Sequence, residues 1–219
     1  MPSSPDNNPI HINTLPIAAA RYTELPFPPY RFVPGRHPHP TAHPDGHSYH
    51  PPGHVEPPVT FVPPGRWRES PDYLYGCDLY NHAYWWEAHE AWEGLWRVTP
   101  AESAQRRFLQ GVIQLAAIHI QLFQGHADGV ARLRETSRRH LEAAMQLADA
   151  TRLMGLDVED ILSRMDVYCA KVMRPDMPTP WHDPASYPYL TPTDNGESTP
   201  TAVPDMQTQD PHSKDGRIE

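Results

Sequence analysis

The placement of proline restricts the fold of this chain more than any other feature. The sequence has 28 prolines, but between residues 72 and 172 the only one is Pro100. Proline lacks a backbone N–H, and its ring disfavours helix at its own position and at the residue before it. The two flanks are therefore poor helix formers, whereas apolar residues recur at helical spacing between them. We expect one helical domain between two proline-rich flanks.

The fold class predicted for the central part, residues 71–174, is all-α: a small antiparallel helical bundle. Thr99, Pro100 and Glu102 suit the cap, the first position and the capping box of a helix, and Asp157 suits the cap of another. The short links between helices favour antiparallel neighbours. The predicted helices cover residues 72–97 with a break near 81–83, residues 99–124, residues 127–153 and residues 157–173.

The flanks are predicted to form a Pro/His-rich N-terminal arm, residues 1–70, and a flexible C-terminal tail, residues 175–219, disordered over 182–219. Apolar residues such as Phe32 and Val33 bracket the arm's histidines. Three interpretations of the arm stay open: a disordered spacer, a lid lying on the bundle, or a loose binder of transition metals.

Charge and targeting features limit the partners that can be expected. The net charge is -9, which disfavours nucleic acid and anionic membrane surfaces because both require a basic face. The N-terminus lacks a basic start followed by an apolar stretch, and Cys77 and Cys169 fit reduced thiols, so we expect a cytoplasmic protein. The expected partner is an unknown small molecule or protein, and a homodimer is an open alternative.

The segment 81–97 carries the residues best suited to chemistry. At about 100° per residue, Trp92 and Trp96 fall on the same side of a helix as His89 and Glu93, whereas Glu87 points to the far side. A face this aromatic is expected to be buried, and a buried carboxylate must be paired, protonated or bound to a metal. His89 and Glu93 are four residues apart and can reach one point.

Two interpretations of this face compete. His89 and Glu93 form either a hydrogen-bonded packing pair or, with Glu90, a metal or acid–base site. The spacing differs from the zinc-protease pattern because Glu93 stands where a second histidine is required. His119, on an apolar face of the next predicted helix, is expected to be a satisfied core histidine.

Two motifs resemble one known family. Trp86-Glu-Ala-His-Glu-Ala-Trp-Glu-Gly-Leu-Trp96 is followed by Phe108-Leu-Gln-Gly-Val-Ile-Gln-Leu-Ala-Ala117, and both resemble the signature of the prokaryotic domain of unknown function 309 family over about residues 72–150. The Pro-Gly-Arg-His-Pro-His-Pro stretch of the arm is similar to an extension of some members. Ala83 stands where the family usually has glycine. The resemblance implies a helical fold and no established activity.

The function must therefore be inferred from the residues. One hypothesis is a metal-dependent hydrolase with His89, Glu90 and Glu93 as its catalytic centre. Its cofactor would be a divalent transition metal such as zinc, held by His89 and Glu93 and completed from the arm by His37, His39 or His47. The alternatives are a non-catalytic helical adaptor or dimerisation module, and a metal-binding protein without turnover. The absence of a phosphate loop, a serine elbow and a Cys-based redox motif makes nucleotide, acyl-transfer and thiol chemistry secondary choices.

Overall fold

A computed structural model describes residues 19–55, 57–173 and 187–194. These residues form a predominantly helical domain, which confirms the predicted all-α fold class. Among the described residues, no helix has the length and apolar character needed to cross a membrane. The elements are a 3-10 helix, Pro64–Glu69, then α1 Pro71–Asn81, α2 Trp85–Val98, α3 Ala104–Phe123, α4 Ala127–Ala148, β1 Arg152–Leu153, β2 Leu156–Asp157 and α5 Val158–Val172.

The predicted break in the first helical stretch is confirmed. Ala83, between α1 and α2, has a φ of 63°, in the left-handed region. The amide of Ala83 donates to the carbonyl of Tyr80, and the amide of Tyr84 donates to the carbonyl of Leu79, at 3.0 and 2.8 Å. This pair of bonds is the Schellman arrangement that ends a helix and usually has glycine at the left-handed position.

Two other predicted helix boundaries are wrong. The side chain of Ser103, rather than Thr99, caps α3 and accepts a hydrogen bond from the amide of Arg106. Thr99 instead ends α2, its hydroxyl donating to the carbonyl of Leu95 at 2.8 Å. Helix α4 was expected to reach residue 153 but ends at Ala148, because β1 and β2 pair as a two-stranded antiparallel hairpin.

The start of α5 agrees with the prediction. Asp157 is its N-cap residue and accepts a hydrogen bond from the amide of Asp160 at 3.0 Å. Both cysteines, Cys77 and Cys169, are buried and free.

Close helix packing is made possible by two glycines. A Cβ atom on Gly76 of α1 would lie 2.1 Å from the indole nitrogen of Trp92 in α2, and one on Gly111 of α3 would lie 2.4 Å from Cγ of Leu141 in α4. Both positions exclude a larger residue unless the helices separate. Trp92 is fully buried, and its indole N–H donates to the carbonyl of Tyr73 at 3.2 Å.

The described part of the arm lies on the bundle, as the lid alternative expected. Asp78 of α1 is fully buried and accepts hydrogen bonds from the amides of Tyr22 and Thr23. Further along the arm, the carbonyl of Val62 accepts a hydrogen bond from the side-chain amide of Gln105, in α3, at 2.9 Å. The 3-10 helix lies near the end of the arm, where the sequence predicted no helix.

The expectation of disorder from residue 182 onward is wrong for residues 187–194. Tyr187 and Leu190 are buried, with Leu190 wholly inaccessible. The side chain of Asn81 pairs with both backbone polar groups of Leu190, donating to its carbonyl at 2.7 Å and accepting from its amide at 2.8 Å. Apart from residues 187–194, the predicted tail lies outside the described residues.

Candidate functional site

The buried face of α2 differs from the predicted one. Trp85, Ala88, Trp92 and Leu95 face the core, whereas the side chains of His89 and Glu93 remain 31% and 28% exposed. Ala88 and Leu95 lie on the side of the tryptophans that is remote from His89, so they move the centre of the apolar face away from it. The prediction that His89 and Glu93 enter the core with the tryptophans is therefore wrong.

Glu87 is the acidic residue of α2 that is buried. It points away from the bundle core, as predicted, but the arm covers it and leaves its side chain 4% exposed. Its Oε1 atom accepts hydrogen bonds from the Phe32 amide at 2.8 Å and from Nε2 of His47 at 3.0 Å. Burial raises the pKa of the Glu87 carboxyl, and the hydrogen bonds from Phe32 and His47 oppose that rise.

His89, Glu90 and Glu93 form a cluster on the partly exposed side of α2. One potential metal-ligand atom from each residue lies within 4.8 Å of the others. Nε2 of His89 is 3.6 Å from Oε2 of Glu93, and the other oxygen of Glu93 accepts a hydrogen bond from Arg97 at 2.8 Å. The helix thus brings one imidazole and two carboxylates together within about one turn.

The electrostatics of Glu90 reflect this clustering. Partial burial raises the pKa of its carboxyl most, and the neighbouring Glu93 carboxylate raises it further. His89, Arg97 and the arm's His39 lower it. A positive ion at the cluster would likewise favour the ionised form of Glu90.

The arm histidines expected as further ligands lie elsewhere. His47 is engaged through both ring nitrogens, with Glu87 at 3.0 Å and with the Ser48 hydroxyl at 2.8 Å. His37 stacks on Tyr30 with its ring centroid 5.2 Å away. Neither residue belongs to the His89, Glu90 and Glu93 cluster within the described part of the chain, because the arm docks on Glu87 instead.

His39 comes nearest to the expected position, although it is not a member of the cluster. Its ring packs against Trp86 of α2 at 5.5 Å, and Nδ1 accepts hydrogen bonds from the backbone amides of Thr41 and Ala42 at 3.4 and 3.3 Å. In the neutral ring this leaves the hydrogen on Nε2, so that Nε2 is a donor rather than a metal ligand.

His119 agrees with the expectation of a satisfied core histidine. It is 1% exposed, and its Nε2 atom lies 2.8 Å from the Tyr80 hydroxyl. Its ring also stacks on Trp85 at 5.2 Å.

The sequence interpretation missed three residues that the structure makes prominent: Asp78, Glu87 and Ser48. Asp78 and Glu87 are buried carboxylates whose partners are backbone amides of the arm. The only local signal was an acidic residue within a helix of aromatic character, and a periodicity argument assigns such a residue to solvent. Ser48 directly follows His47 in the sequence, and this adjacency was the available signal. Helical and strand patterns do not highlight such a neighbouring pair.

Comparison with known protein families gives a match to part of the chain. Residues 73–133 match the family model described as domain of unknown function (DUF309). No curated protein and no solved structure matches the chain. The match covers most of α1, all of α2 and α3, and the start of α4, and so includes the His89, Glu90 and Glu93 cluster. The matched segment contains both motifs that resemble this family, residues 86–96 and 108–117.

Proposed function

We propose that the protein binds a divalent transition metal such as zinc at His89, Glu90 and Glu93 and uses it to hydrolyse a small substrate. The observation that carries the proposal is the approach of three ligand atoms of suitable type to within 4.8 Å of one another. Around a tetrahedral ion with bonds of about 2.0–2.1 Å, ligand atoms are about 3.3–3.4 Å apart. The 3.6 Å between His89 and Glu93 is already close to that value.

The ligand set suits a hydrolytic ion. Three protein ligands leave one tetrahedral position open for water or substrate, which is the usual composition of a catalytic zinc site. An ion there polarises a carbonyl or phosphoryl oxygen and lowers the pKa of bound water. The partial exposure of His89 and Glu93 gives a small substrate access to that position.

Two neighbouring groups support the same proposal. Arg97 holds one oxygen of Glu93 and leaves the other directed at His89, which is the orienting role of residues that surround a metal site. His39 is exposed and is close enough to influence Glu90 electrostatically. We assign its Nε2 hydrogen the role of a hydrogen-bond donor to the bound substrate.

Zinc titration of the full chain by calorimetry tests the binding step. We expect one tight site, with affinity reduced at least about 100-fold in His89→Ala and Glu93→Gln and about 10- to 100-fold in Arg97→Ala. Two control variants should retain the affinity. Glu135→Gln removes an exposed glutamate that is paired with Arg139 four residues on, and His54→Ala removes an arm histidine. Unchanged binding in His89→Ala would assign the metal to the arm and refute the site.

Hydrolysis is tested separately with p-nitrophenyl phosphate and bis(p-nitrophenyl) phosphate. Turnover should require the metal and should fall in His89→Ala, with His39→Gln lowering the rate but not zinc affinity. Tight zinc binding without turnover of either probe would support the metal-binding alternative over the hydrolase.

A further inference from the structure

A hydroxyl, an imidazole and a carboxylate lie in series where the arm crosses α2. Oγ of Ser48 is 2.8 Å from Nδ1 of His47, and Nε2 of His47 is 3.0 Å from Oε1 of Glu87. We propose that Ser48 is an activated nucleophile in a second reactive site, independent of the metal cluster, and that it accepts an acyl or phosphoryl group from an activated donor.

The positions of the hydrogens follow from the chemistry of the three groups. An ionised carboxylate only accepts hydrogen bonds, so the hydrogen of the neutral imidazole is on Nε2 and points to Glu87. Nδ1 then carries a lone pair and accepts the hydrogen of the Ser48 hydroxyl. This is the logic of a nucleophile, a base and an orienting acid. The ring nitrogens have exchanged roles relative to the usual serine hydrolase arrangement.

The base is held in one orientation by contacts on several sides. The His47 amide donates to the Tyr30 hydroxyl, which itself donates to the carbonyl of Pro38. The His47 ring lies 4.6 Å from that of Tyr30 and 6.3 Å from that of Trp86. Glu87 is fixed in turn by the Phe32 amide. The base therefore loses little freedom when it accepts a proton.

Burial separates the roles of the three residues. The side chains of His47 and Glu87 are only 3% and 4% exposed, whereas Ser48 is partly exposed at the surface of the turn. Exclusion of water strengthens the interaction between imidazole and carboxylate. Of the three side chains, that of Ser48 is therefore the one that an electrophile from solvent would meet first.

The turn that carries Ser48 is tightly packed, and its amides are occupied. The Ser48 amide donates to the carbonyl of Pro40, and a Cβ atom on Gly46 would lie 2.2 Å from that same oxygen. The amides of Gly46, His47 and Tyr49 donate to His43, Tyr30 and Gly46, respectively. Within this described turn no amide remains to stabilise an oxyanion, so we infer stoichiometric adduct formation rather than rapid turnover.

A fluorophosphonate is a suitable probe for this step. The Ser48 oxygen attacks phosphorus, forming an O–P bond as the P–F bond breaks. The hydroxyl proton passes to Nδ1 of His47 and is lost as hydrogen fluoride with the departing fluoride. The product is a phosphonylated Ser48, and no redox partner is required.

The test is a time course of the full chain with the fluorophosphonate, in which peptide mass spectrometry measures labelling of each serine. Ser48 should react about 100-fold faster than Ser103, whose hydroxyl donates to the carbonyl of Pro100. His47→Gln should slow labelling of Ser48 by a similar factor. Ser103→Ala should leave that rate unchanged, and zinc should not affect it.

An isosteric substitution separates a chemical role of Glu87 from a merely structural one. Oε1 of Glu87 accepts the hydrogen bond from Nε2 of His47, so the carboxylate stabilises the imidazole as it takes the hydroxyl proton. Glu87→Gln keeps the size and shape of the side chain but removes its charge, so it should slow labelling of Ser48 and leave labelling of Ser103 unchanged. Equal labelling of Ser48 and Ser103 in the unmodified protein would overturn the proposal whether or not any variant folds.

Discussion

Asp78 and Thr23 are joined by two hydrogen bonds to a single carboxylate oxygen. Oδ2 of Asp78 accepts from the Thr23 amide at 2.9 Å and from its hydroxyl at 2.7 Å, while Oδ1 accepts from the Tyr22 amide at 2.7 Å. A buried carboxylate needs such partners to offset the cost of its desolvation. Glu87 receives the Phe32 amide in the same manner. Both carboxylates fix arm backbone to the helices, so the described arm is part of the folded unit.

Asp78→Ala should release the start of the arm. Three partly buried donors on Tyr22 and Thr23 would lose their acceptor, and hydrogen bonds to a charged group are worth about 1.5–3 kcal/mol each. We expect the free energy of unfolding to fall by about 2 kcal/mol or more and the Tyr22 and Thr23 amides to exchange fast. Hydrogen exchange by mass spectrometry measures this. Asp72→Ala in the same helix is the control, and equal exchange in both variants would contradict the anchoring role.

Glu87→Gln should change how stability depends on pH. The pKa of Glu87 is raised by burial above its ordinary 4.5. Between 4.5 and the folded-state pKa, the unfolded chain has lost this proton while the folded protein retains it, so rising pH favours unfolding. Glutamine does not titrate. The free energy of unfolding of the wild type minus that of Glu87→Gln should therefore decrease from pH 4 upward in denaturant titrations, and a constant difference would refute this prediction.

His89→Ala should affect stability far less than Trp92→Ala. His89 is on the partly exposed side of α2, where most substitutions cost within about 0.5 kcal/mol. Trp92 is fully buried against Gly76 and Tyr80, and loss of such a side chain costs about 3–5 kcal/mol. Thermal and denaturant melts in the presence of a chelator measure both. Similar losses in the two variants would favour the packing-pair interpretation of His89.

The sequence was informative where the structure depends on local chemistry. The break at Ala83, the cap at Asp157 and the core position of His119 follow from helix spacing and capping rules. The orientation of α2 about its own axis did not follow from these rules. Tryptophans dominate the hydrophobic pattern of the sequence, whereas Ala88 and Leu95 decide the centre of the buried face.

The partners of the buried carboxylates lay beyond local reasoning for a different reason. Glu87 pairs with His47 across 40 residues, and Asp78 pairs with Thr23 across 55. Helical periodicity describes only which side of a helix a residue occupies, and it cannot indicate that an extended arm covers that side. The same limit applies to Leu190, whose partner Asn81 is 109 residues away.

Ala83→Val should destabilise the domain, whereas Ala83→Gly should be nearly neutral. A β-branched residue is strongly disfavoured at the φ of 63° that Ala83 adopts. For glycine, relief of a left-handed cost of about 1–2 kcal/mol offsets the lost burial of one methyl group and the greater entropy of the unfolded chain. We expect a loss of more than about 2 kcal/mol for valine in denaturant melts. Tolerance of valine would show that the link between α1 and α2 adopts another conformation.

Leu190→Ala should destabilise the bundle even though residue 190 lies in a flank that the sequence predicts to be disordered. Its side chain is wholly inaccessible, and its backbone is held by both polar atoms of Asn81. Buried Leu→Ala substitutions cost about 2–5 kcal/mol. Thr191→Ala, at the partly exposed next position, is the matched control and should cost less than about 0.5 kcal/mol. If the tail were disordered, neither substitution would change the free energy of unfolding in a denaturant melt. If the segment is docked, the two free energies of unfolding should differ by about 2 kcal/mol or more.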